Sequence, residues 1–270
     1  MPLKIGLVGC GAIGTEIAKA IDGGEIDADL VAVCDHNPAT ANALIDSLNK
    51  KPIRARLEDL VHLSELVVEA ASQKAVPAIA RATLSNGKSL MIMSVGALAD
   101  AEFYREVKSL AKEHGARVYL PSGAISGLDG LKSASVGNLR KVTLTTTKNP
   151  KGLQGAPYVL EKKIDLGALT EPTLIFEGTA AEAVRAFPAN VNVAATLCLA
   201  AREGEVRVKI IADPHIHVNR HEITAEGDFG RITTLVENVP SPKNPRTSYL
   251  AALSAIATLR SIVEPVKIGT

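Results

Sequence analysis

A glycine-rich turn near the start of the chain constrains the fold more than any other feature of the sequence. Residues 9–14 read Gly-Cys-Gly-Ala-Ile-Gly, directly after the apolar run Leu3–Val8, and apolar residues at helical spacing follow over Thr15–Ile21. A second apolar run, Leu30–Cys34, is closed by Asp35. This order of strand, turn, helix and strand predicts a βαβ unit whose turn has the G-x-G-x-x-G arrangement.

The three glycines of this turn have separate physical roles, and together they predict a dinucleotide-binding site. Gly9 permits a tight turn, Gly11 lets the backbone approach a pyrophosphate, and Gly14 lets the helix pack closely on the strand. Ala12 and Ile13 begin the helix, where free N–H groups and the positive end of the helix dipole favour phosphates. We therefore expect these five residues to contact the cofactor.

Asp35 favours NAD over NADP as the bound dinucleotide. An acid that closes the second strand of the unit stands where a carboxylate accepts hydrogen bonds from the adenosine ribose. The same carboxylate repels the 2′-phosphate of NADP, and neither His36 nor Asn37 supplies an arginine there. NADP remains the alternative, because Arg54 or Arg56 could come near in space.

The patterning of the rest of the chain predicts an α/β fold with two domains. Apolar runs and helical segments alternate up to Pro121, as in a parallel sheet covered by helices on both faces. Beyond it, β-branched stretches with polar alternation predict a mixed or antiparallel sheet; they are Leu139–Thr147, Thr173–Thr179, Val206–Ala212, Glu222–Glu226 and Gly230–Val239. We predict a Rossmann-type domain over 1–122 and an α+β domain over 123–244, with a C-terminal helix in 245–270 packing back on the first domain. Three prolines predict a loop over 240–245.

Short loops at the carboxyl ends of the later strands are expected to line the nicotinamide half of the cleft. They comprise residues 71–73 with Ala71 and Ser72, residues 94–97, and residues 121–124. All are small or polar, which suits backbone contact with a flat ring. The alternative is that they are simply short turns.

Composition excludes several other classes of protein. The chain has 30 Lys+Arg against 29 Asp+Glu, 4 Phe, 4 Tyr and no Trp, which argues against binding of nucleic acid. The most apolar stretches fall far short of the roughly 20 residues that a membrane span needs, and no secretory signal is expected. Three cysteines without a C-x-x-C pair favour a reducing cytoplasm. A cytoplasmic protein that acts on a small molecule is the expectation.

Three histidines crowd into seven residues and offer either a metal site or a proton-transfer group. His215 and His217 would share a face on an extended strand, but only Asp213 and Glu222 are nearby as further ligands. We therefore expect no metal. A nicotinamide enzyme that acts on an alcohol or amine needs a group for the proton that accompanies the hydride, and histidine, with a pKa of about 6.5, is the usual choice. Spacing alone leaves open which of these two histidines or His221 has this role.

Several segments taken together resemble the L-aspartate dehydrogenase family. The glycine turn is shared by many dehydrogenases, whereas the runs PSGAISGLD, FPANVNVAA and NRHEI are far more specific. The segments are Gly6–Gly14, Val68–Gln73, Pro121–Asp129, Phe187–Ala194 and Asn219–Ile223. The resemblance covers essentially the whole chain. It implies a Rossmann domain and an α+β domain that supplies the substrate site and homodimer contacts, with NAD- or NADP-dependent oxidation of L-aspartate to iminoaspartate. That product feeds NAD biosynthesis or hydrolyses to oxaloacetate and ammonia.

The resemblance also assigns individual residues. It implies that His221 is the catalytic histidine and that Ala124 and Asn190 contact the cofactor. The two carboxylates of aspartate need cationic or N–H partners, for which Lys148 and Arg220 are candidates.

Two other readings compete with this one. Another two-domain oxidoreductase, related to homoserine dehydrogenase or dihydrodipicolinate reductase, would share the first domain, but the paired-His and Lys signature of the reductase is absent. A non-catalytic NAD-sensing protein would need no proton-handling residue, so His221 argues against it. Absorbance at 340 nm with aspartate and NAD separates an enzyme from a sensor.

Overall fold

The computed structural model describes residues 1–188, 191–202, 204–241 and 244–269, without the side chains of 191, 240, 241 and 244–247. The chain divides into two compact units. The first is Met1–Gly123 together with Ala251–Ile268, and the second is built on Ala124–Leu250. Each has its own hydrophobic core.

A parallel sheet forms the centre of the first unit. Its described strands are β1 (Leu3–Val8), β2 (Ala28–Cys34), β3 (Ile53–Arg54), β4 (Leu66–Glu69), β5 (Ser89–Ile92) and β6 (Val118–Tyr119), in the order β3-β2-β1-β4-β5-β6. All five pairings are parallel. This is the Rossmann order, in which the chain leaves β1 for β2 on one side and later returns to β4 on the other. A crevice for a ligand is expected at the carboxyl ends of β1 and β4, where the direction of winding reverses.

Helices link these strands because each apolar strand needs cover on both faces. They are α1 (Ala12–Asp22), α2 (Pro38–Ser47), α3 (Leu57–Leu63), α4 (Val76–Leu84) and α5 (Ala101–Glu113). The core they build contains fully buried Ile5, Leu7, Ile17, Val68 and Met91. The predicted parallel α/β unit is confirmed.

The second unit is built on a mixed sheet, as predicted. Its strands are β7 (Leu139–Lys148), β8 (Thr173–Thr179), β9 (Val206–Ala212), β10 (Asn219–Gly227) and β11 (Gly230–Asn238), in the order β11-β10-β7-β9-β8. Only β7 and β9 run parallel; the other pairs in this sheet are antiparallel. The helices of this unit are α6 (Leu128–Ala134), α7 (Pro157–Glu161), α8 (Ala180–Ala186) and α9 (Val191–Ala201).

Alternation along the strands gives this sheet one buried and one polar face. On β7, Val142 and Leu144 are buried whereas Thr143 and Thr145 are only partly covered. The buried side packs into a core that includes Leu197 of α9 and three aromatic rings. Those rings, Tyr158, Phe176 and Phe187, have centroids 5.2–5.7 Å apart, within the range of favourable aromatic packing.

The proline-rich segment differs from its prediction. Instead of a loop over 240–245, the chain forms a two-stranded antiparallel ladder of β12 (Pro240–Ser241) and β13 (Asn244–Ser248), with Pro240 opposite Ser248. Proline lacks only the N–H donor, so it is tolerated in a short edge ladder where that donor is not required.

The last helix, α10 (Tyr249–Val263), returns the chain to the first unit. Ala255 and Leu259 are fully buried in the core of that unit, on the same face of the helix. None of the described helices is both long and apolar enough to cross a bilayer.

Candidate active site

The glycine turn between β1 and α1 has the geometry that close approach of a ligand requires. Gly9 has a φ of +99°, and a Cβ there would lie 2.5 Å from the backbone of Ala70. A Cβ on Gly14 would come within 2.0 Å of the carbonyl oxygen of Gly9. Around Gly11, in contrast, a Cβ would meet nothing within 4 Å, so this glycine borders open space rather than a neighbouring element. The turn thus leaves room for a ligand at Gly11.

The first amides of α1 face that space without a side-chain cap. Gly11 is the N-cap residue and makes no side-chain hydrogen bond to the helix. Ala12 and Ile13 follow as its first two residues, and no acidic side chain lies in the first turn. Uncapped N–H groups and the helix dipole favour an anionic group such as a pyrophosphate.

Asp35 lies immediately after β2 and ties the turn to the sheet. Its Oδ2 accepts a hydrogen bond from the Cys10 N–H at 2.8 Å, and its Oδ1 accepts one from the Asn37 N–H at 2.8 Å. His36 Nδ1 lies 3.0 Å from the same Oδ1. Each carboxylate oxygen has two lone-pair sites, so acceptor capacity remains for ribose hydroxyls.

Sequence reasoning missed the role of Glu69, the last residue of β4. Its carboxylate is fully buried and accepts hydrogen bonds from the Ala71 N–H at 2.8 Å, the Ser94 N–H at 2.9 Å and the Ser94 hydroxyl at 2.9 Å. Burial raises the pKa of Glu69, although these hydrogen bonds act in the opposite direction. The carboxylate therefore holds together the loops that follow β4 and β5, while Ala71 and Ser72 remain exposed. An acid that closes an apolar strand, as Asp35 also does, was the signal available in the sequence.

His221 lies on the buried face of the second sheet, in β10. It is 3% exposed, and Nδ1 lies 3.0 Å from the hydroxyl of Thr146, its register partner in β7. Burial, and then the charge of Lys148, lower the pKa of His221 to about 4. The imidazole is therefore neutral at pH 7, which is the form that can accept a proton.

Lys148 ends β7 two residues beyond Thr146, on the same buried side. It is 8% exposed, and burial lowers its pKa to about 8. Within the described residues, no carboxylate forms an ion pair with its ammonium. Arg220, the other candidate for binding a substrate carboxylate, is exposed, and its Nε lies 3.2 Å from Glu237 Oε1.

Asn238, which sequence reasoning also missed, fixes the loop that contains Ala124. Its amide Nδ2 donates to the Ala124 carbonyl at 2.9 Å, whereas its buried Oδ1 has no hydrogen-bond partner among the described residues. Gly127 brings the same loop close to β11, because a Cβ there would lie 2.6 Å from the Thr234 side chain. Asn190, the other predicted cofactor contact of this unit, lies outside the described residues.

His215 and His217 lie in the connection between β9 and β10, not on a strand, and both are exposed. His215 Nε2 lies 3.0 Å from the Thr170 carbonyl oxygen, and its N–H donates to Asp213 Oδ1 at 2.8 Å. The extended strand on which the two histidines would share a face is not formed, because β9 ends at Ala212 and the chain turns at Pro214 and His215. The described residues include no group of three or more His, Cys, Asp or Glu placed to hold a metal ion.

Two family models match the chain, and they divide it between them. The model "Homoserine dehydrogenase, NAD binding domain" matches residues 9–121, and the model "Aspartate dehydrogenase, C-terminal" matches residues 129–262. The first match covers the glycine turn and Asp35. The second covers His221, Thr146 and Lys148.

Curated relatives and solved structures agree with these models over the full length. Proteins named L-aspartate dehydrogenase from Methanosarcina mazei and Methanocaldococcus jannaschii are 55% and 45% identical to this chain, each over 99% of it and 100% of the relative. The crystal structure of aspartate dehydrogenase from Thermotoga maritima is 28% identical, with a TM-score of 0.76 and full coverage of both chains. A homoserine dehydrogenase from Thiobacillus denitrificans, 14% identical with a TM-score of 0.62 over 96% of this chain and 74% of its own, shares the fold alone. With a pyridine-nucleotide-binding unit and 55% of its residues identical to the Methanosarcina mazei relative over the full length, the chain belongs to the L-aspartate dehydrogenase family.

Proposed function

We propose that this protein oxidises L-aspartate to iminoaspartate with a pyridine nucleotide. One observation carries the proposal: a neutral, buried His221 lies beside a lone buried lysine in a chain 55% identical to a protein named L-aspartate dehydrogenase. Aspartate supplies an ammonium proton for a base and two carboxylates for a cation. A non-catalytic protein that only senses a nucleotide needs neither a base nor a buried cation.

The residues of the first unit fit the cofactor. The open space at Gly11 and the uncapped start of α1 accommodate a pyrophosphate, and Asp35 has acceptor capacity for a ribose. In the second unit, the unpartnered Oδ1 of Asn238 is an acceptor available to a donor group, such as a carboxamide or an ammonium. A nicotinamide bound by these residues would supply the acceptor for the hydride that leaves Cα of aspartate.

His221 has the right protonation state to act as the base. In the tautomer whose Nδ1–H donates to the Thr146 hydroxyl, Nε2 carries the lone pair and takes a proton from the substrate ammonium. The resulting amine has an electron pair that forms the C=N bond as the Cα–H bond breaks. The products are iminoaspartate, the reduced cofactor and a proton, and hydrolysis of free imine gives oxaloacetate and ammonia.

NAD is the proposed cofactor in preference to NADP. Asp35 places a carboxylate at the end of β2, and neither Arg54 nor Arg56 forms an ion pair with it among the described residues. Replacing Asp35 with Asn retains an oxygen for the Cys10 N–H and removes the negative charge. We expect Asp35→Asn to raise the NADP-to-NAD ratio of kcat/KM at least about tenfold; an unchanged ratio would contradict this role.

The polar face of the second sheet supports a homodimer. It carries both basic and acidic side chains, with Arg207 Nε 2.8 Å from Glu205 Oε1 and Lys209 Nζ 3.5 Å from Glu177 Oε1. A surface that bears both signs is able to complement itself across a two-fold axis. Sedimentation equilibrium should give twice the mass of one chain. The three free cysteines support a cytoplasmic location.

A substrate panel tests the proposed activity. Reduction of NAD and of NADP is followed at alkaline pH with L-aspartate, D-aspartate, L-glutamate, L-homoserine and L-malate. NADH formation with L-aspartate alone is the expected result. Activity with L-homoserine instead would favour the homoserine dehydrogenase alternative, and no activity with any substrate would favour the sensor.

A further inference from the structure

Among the described residues, Lys148 is the only lysine or arginine that is buried. An isolated charge inside a protein is costly, so buried cations are normally paired with an acid or hydrogen-bonded throughout. In the part of the chain that the structure describes, the Lys148 ammonium has neither an acidic partner nor a hydrogen bond. A cation kept in such a place is therefore available to an anionic ligand.

Among the described residues, the surroundings of Lys148 supply no carboxylate that pairs with its ammonium. Its register partner in β9 is Ala212, and Ile210 lies opposite Thr146. Helix α9 contains no acidic or basic residue. Asp213 follows β9 directly; its N–H donates to the Lys148 carbonyl at 2.9 Å, and its Oδ1 accepts a hydrogen bond from the His215 N–H.

The position of Lys148 relative to His221 indicates which anion it would bind. Thr146 lies directly opposite His221 in the β7–β10 pairing, and Lys148 is the next residue of β7 on the same face. A ligand that presents its ammonium to His221 would thus have a carboxylate within reach of Lys148. Arg220 is excluded as the residue that binds this carboxylate, because it projects from the opposite face and pairs with Glu237.

We propose that the Lys148 ammonium binds a carboxylate of the dicarboxylic substrate and so selects for acidic amino acids, a proposal that rests on the proposed function. Binding of the carboxylate also changes the pKa of the proposed base, His221. The Lys148 charge lowers the pKa of His221 in the free protein, and a carboxylate placed on that charge cancels its field. Substrate binding therefore increases the affinity of His221 for the proton that it must accept.

Succinate tests the proposal without catalysis, since it is a dicarboxylate with no amino group to oxidise. Its affinity is measured by calorimetry in the presence of NAD for the wild type, Lys148→Met, Lys148→Arg and the control Lys151→Met. Lys151 is exposed and only three residues away, so the control removes the same charge outside the buried face. Loss of a charge-assisted hydrogen bond predicts succinate affinity at least about tenfold weaker in Lys148→Met. Lys148→Arg should retain much of the affinity, and Lys151→Met should match the wild type.

Two further readouts separate carboxylate binding from a structural role. Lys148→Met should raise KM for L-aspartate at least about tenfold without changing the Kd for NAD. By NMR, succinate should raise the pKa of His221 in the wild type and leave it unchanged in Lys148→Met. If Lys148→Met does not fold, Lys148→Gln, neutral and polar, replaces it in each measurement.

Unchanged succinate affinity in a folded, neutral variant would overturn the proposal even if the wild type oxidises aspartate. Conversely, a wild type that binds succinate through Lys148 but reduces no NAD with aspartate would support the carboxylate site and reject the proposed function. The experiments therefore distinguish failure of the Lys148 carboxylate site from failure of the proposed oxidation of L-aspartate.

Discussion

The behaviour of His221 follows from its position on the strand rather than from its neighbours in sequence. Arg220 and Glu222 on either side are exposed, whereas His221 is 3% exposed and meets Thr146. Alternation along β10 therefore places one histidine in a dry environment within a polar run. Burial stabilises the neutral imidazole, and the nearby Lys148 acts in the same direction.

Replacing His221 with Ala should lower kcat for L-aspartate by about 10²- to 10⁴-fold, the usual contribution of a general base. The affinity for NADH should not change, because none of the proposed cofactor contacts involves His221. Steady-state kinetics and titration of NADH fluorescence measure these quantities. His215→Ala, the same substitution at an exposed histidine, is the control and should keep wild-type turnover. Unchanged kcat in His221→Ala would remove the assignment.

Lys148 should make the stability of the protein depend on alkaline pH. Its pKa is about 8 in the folded state against 10.5 for the free side chain. Below pH 8 both states are protonated and the buried charge destabilises the fold. Between pH 8 and 10.5 the unfolded state binds more protons, so stability rises with pH by about 3 kcal/mol in total.

The matched comparison is Lys148→Met, which lacks this titration. The variant should be more stable than the wild type at pH 7, and the difference in free energy of unfolding should shrink toward pH 10. Denaturant unfolding at several pH values measures the difference. A difference that stays constant with pH would show that the ammonium is not desolvated.

At the scale of elements, the turn between β1 and α1 uses its glycines for two different purposes. Gly9 and Gly14 allow backbone to meet backbone, since a Cβ on either would overlap a neighbouring main chain. Gly11 borders open space, so packing within the fold does not require the absence of a side chain there, and the space is available to a ligand. The sequence motif predicts all three roles, and the structure separates them.

The same substitution at two of these glycines should therefore have opposite effects. Gly14→Ala should lower the free energy of unfolding by about 1–3 kcal/mol or more, because its methyl group overlaps the Gly9 carbonyl. Gly11→Ala should melt like the wild type yet bind NADH at least about tenfold more weakly, since its methyl group occupies the space left for the pyrophosphate. Thermal melting and NADH titration distinguish the two. A Gly11→Ala protein with wild-type affinity would show that the cofactor does not approach this residue.

At the scale of the whole molecule, the two units are interleaved along the chain. The first unit is completed by Ala251–Ile268, which contain most of α10 and follow the main segment of the second unit, Ala124–Leu250. Leu259 is fully buried and belongs to the same core cluster as Leu7 and Ile17. The core of the first unit thus depends on residues that lie more than 120 positions after Gly123 in the sequence.

Leu259→Ala should cost about 2–5 kcal/mol of stability, as for other leucine truncations in packed cores. Leu253→Ala, on the same helix but 39% exposed, is the control and should cost far less. Because NAD is proposed to bind the folded first unit, adding NAD should recover part of the lost melting temperature. Equal melting temperatures for the two variants would contradict the packing of α10 in that core.

The sequence by itself predicts what depends on residues close together in the chain. The glycine turn, Asp35 and the alternating periods of strand and helix locate the nucleotide-binding unit and the class of the second sheet. The order of the strands in the first sheet then follows from the known winding of such units. The proline-rich segment is the exception, because sequence alone does not show whether the missing N–H donors would have been used.

Contacts between distant residues were decided only by the tertiary structure. Thr146 and His221 are 75 positions apart, and Ala124 and Asn238 are 114 apart. Side chains alternate with a period of two, so a shift of one residue in the pairing of β7 and β10 would turn Thr146 and Lys148 away from His221. Strand register is set by packing across the whole sheet, and it is register that leaves Lys148 buried without an acid and Arg220 paired on the outside.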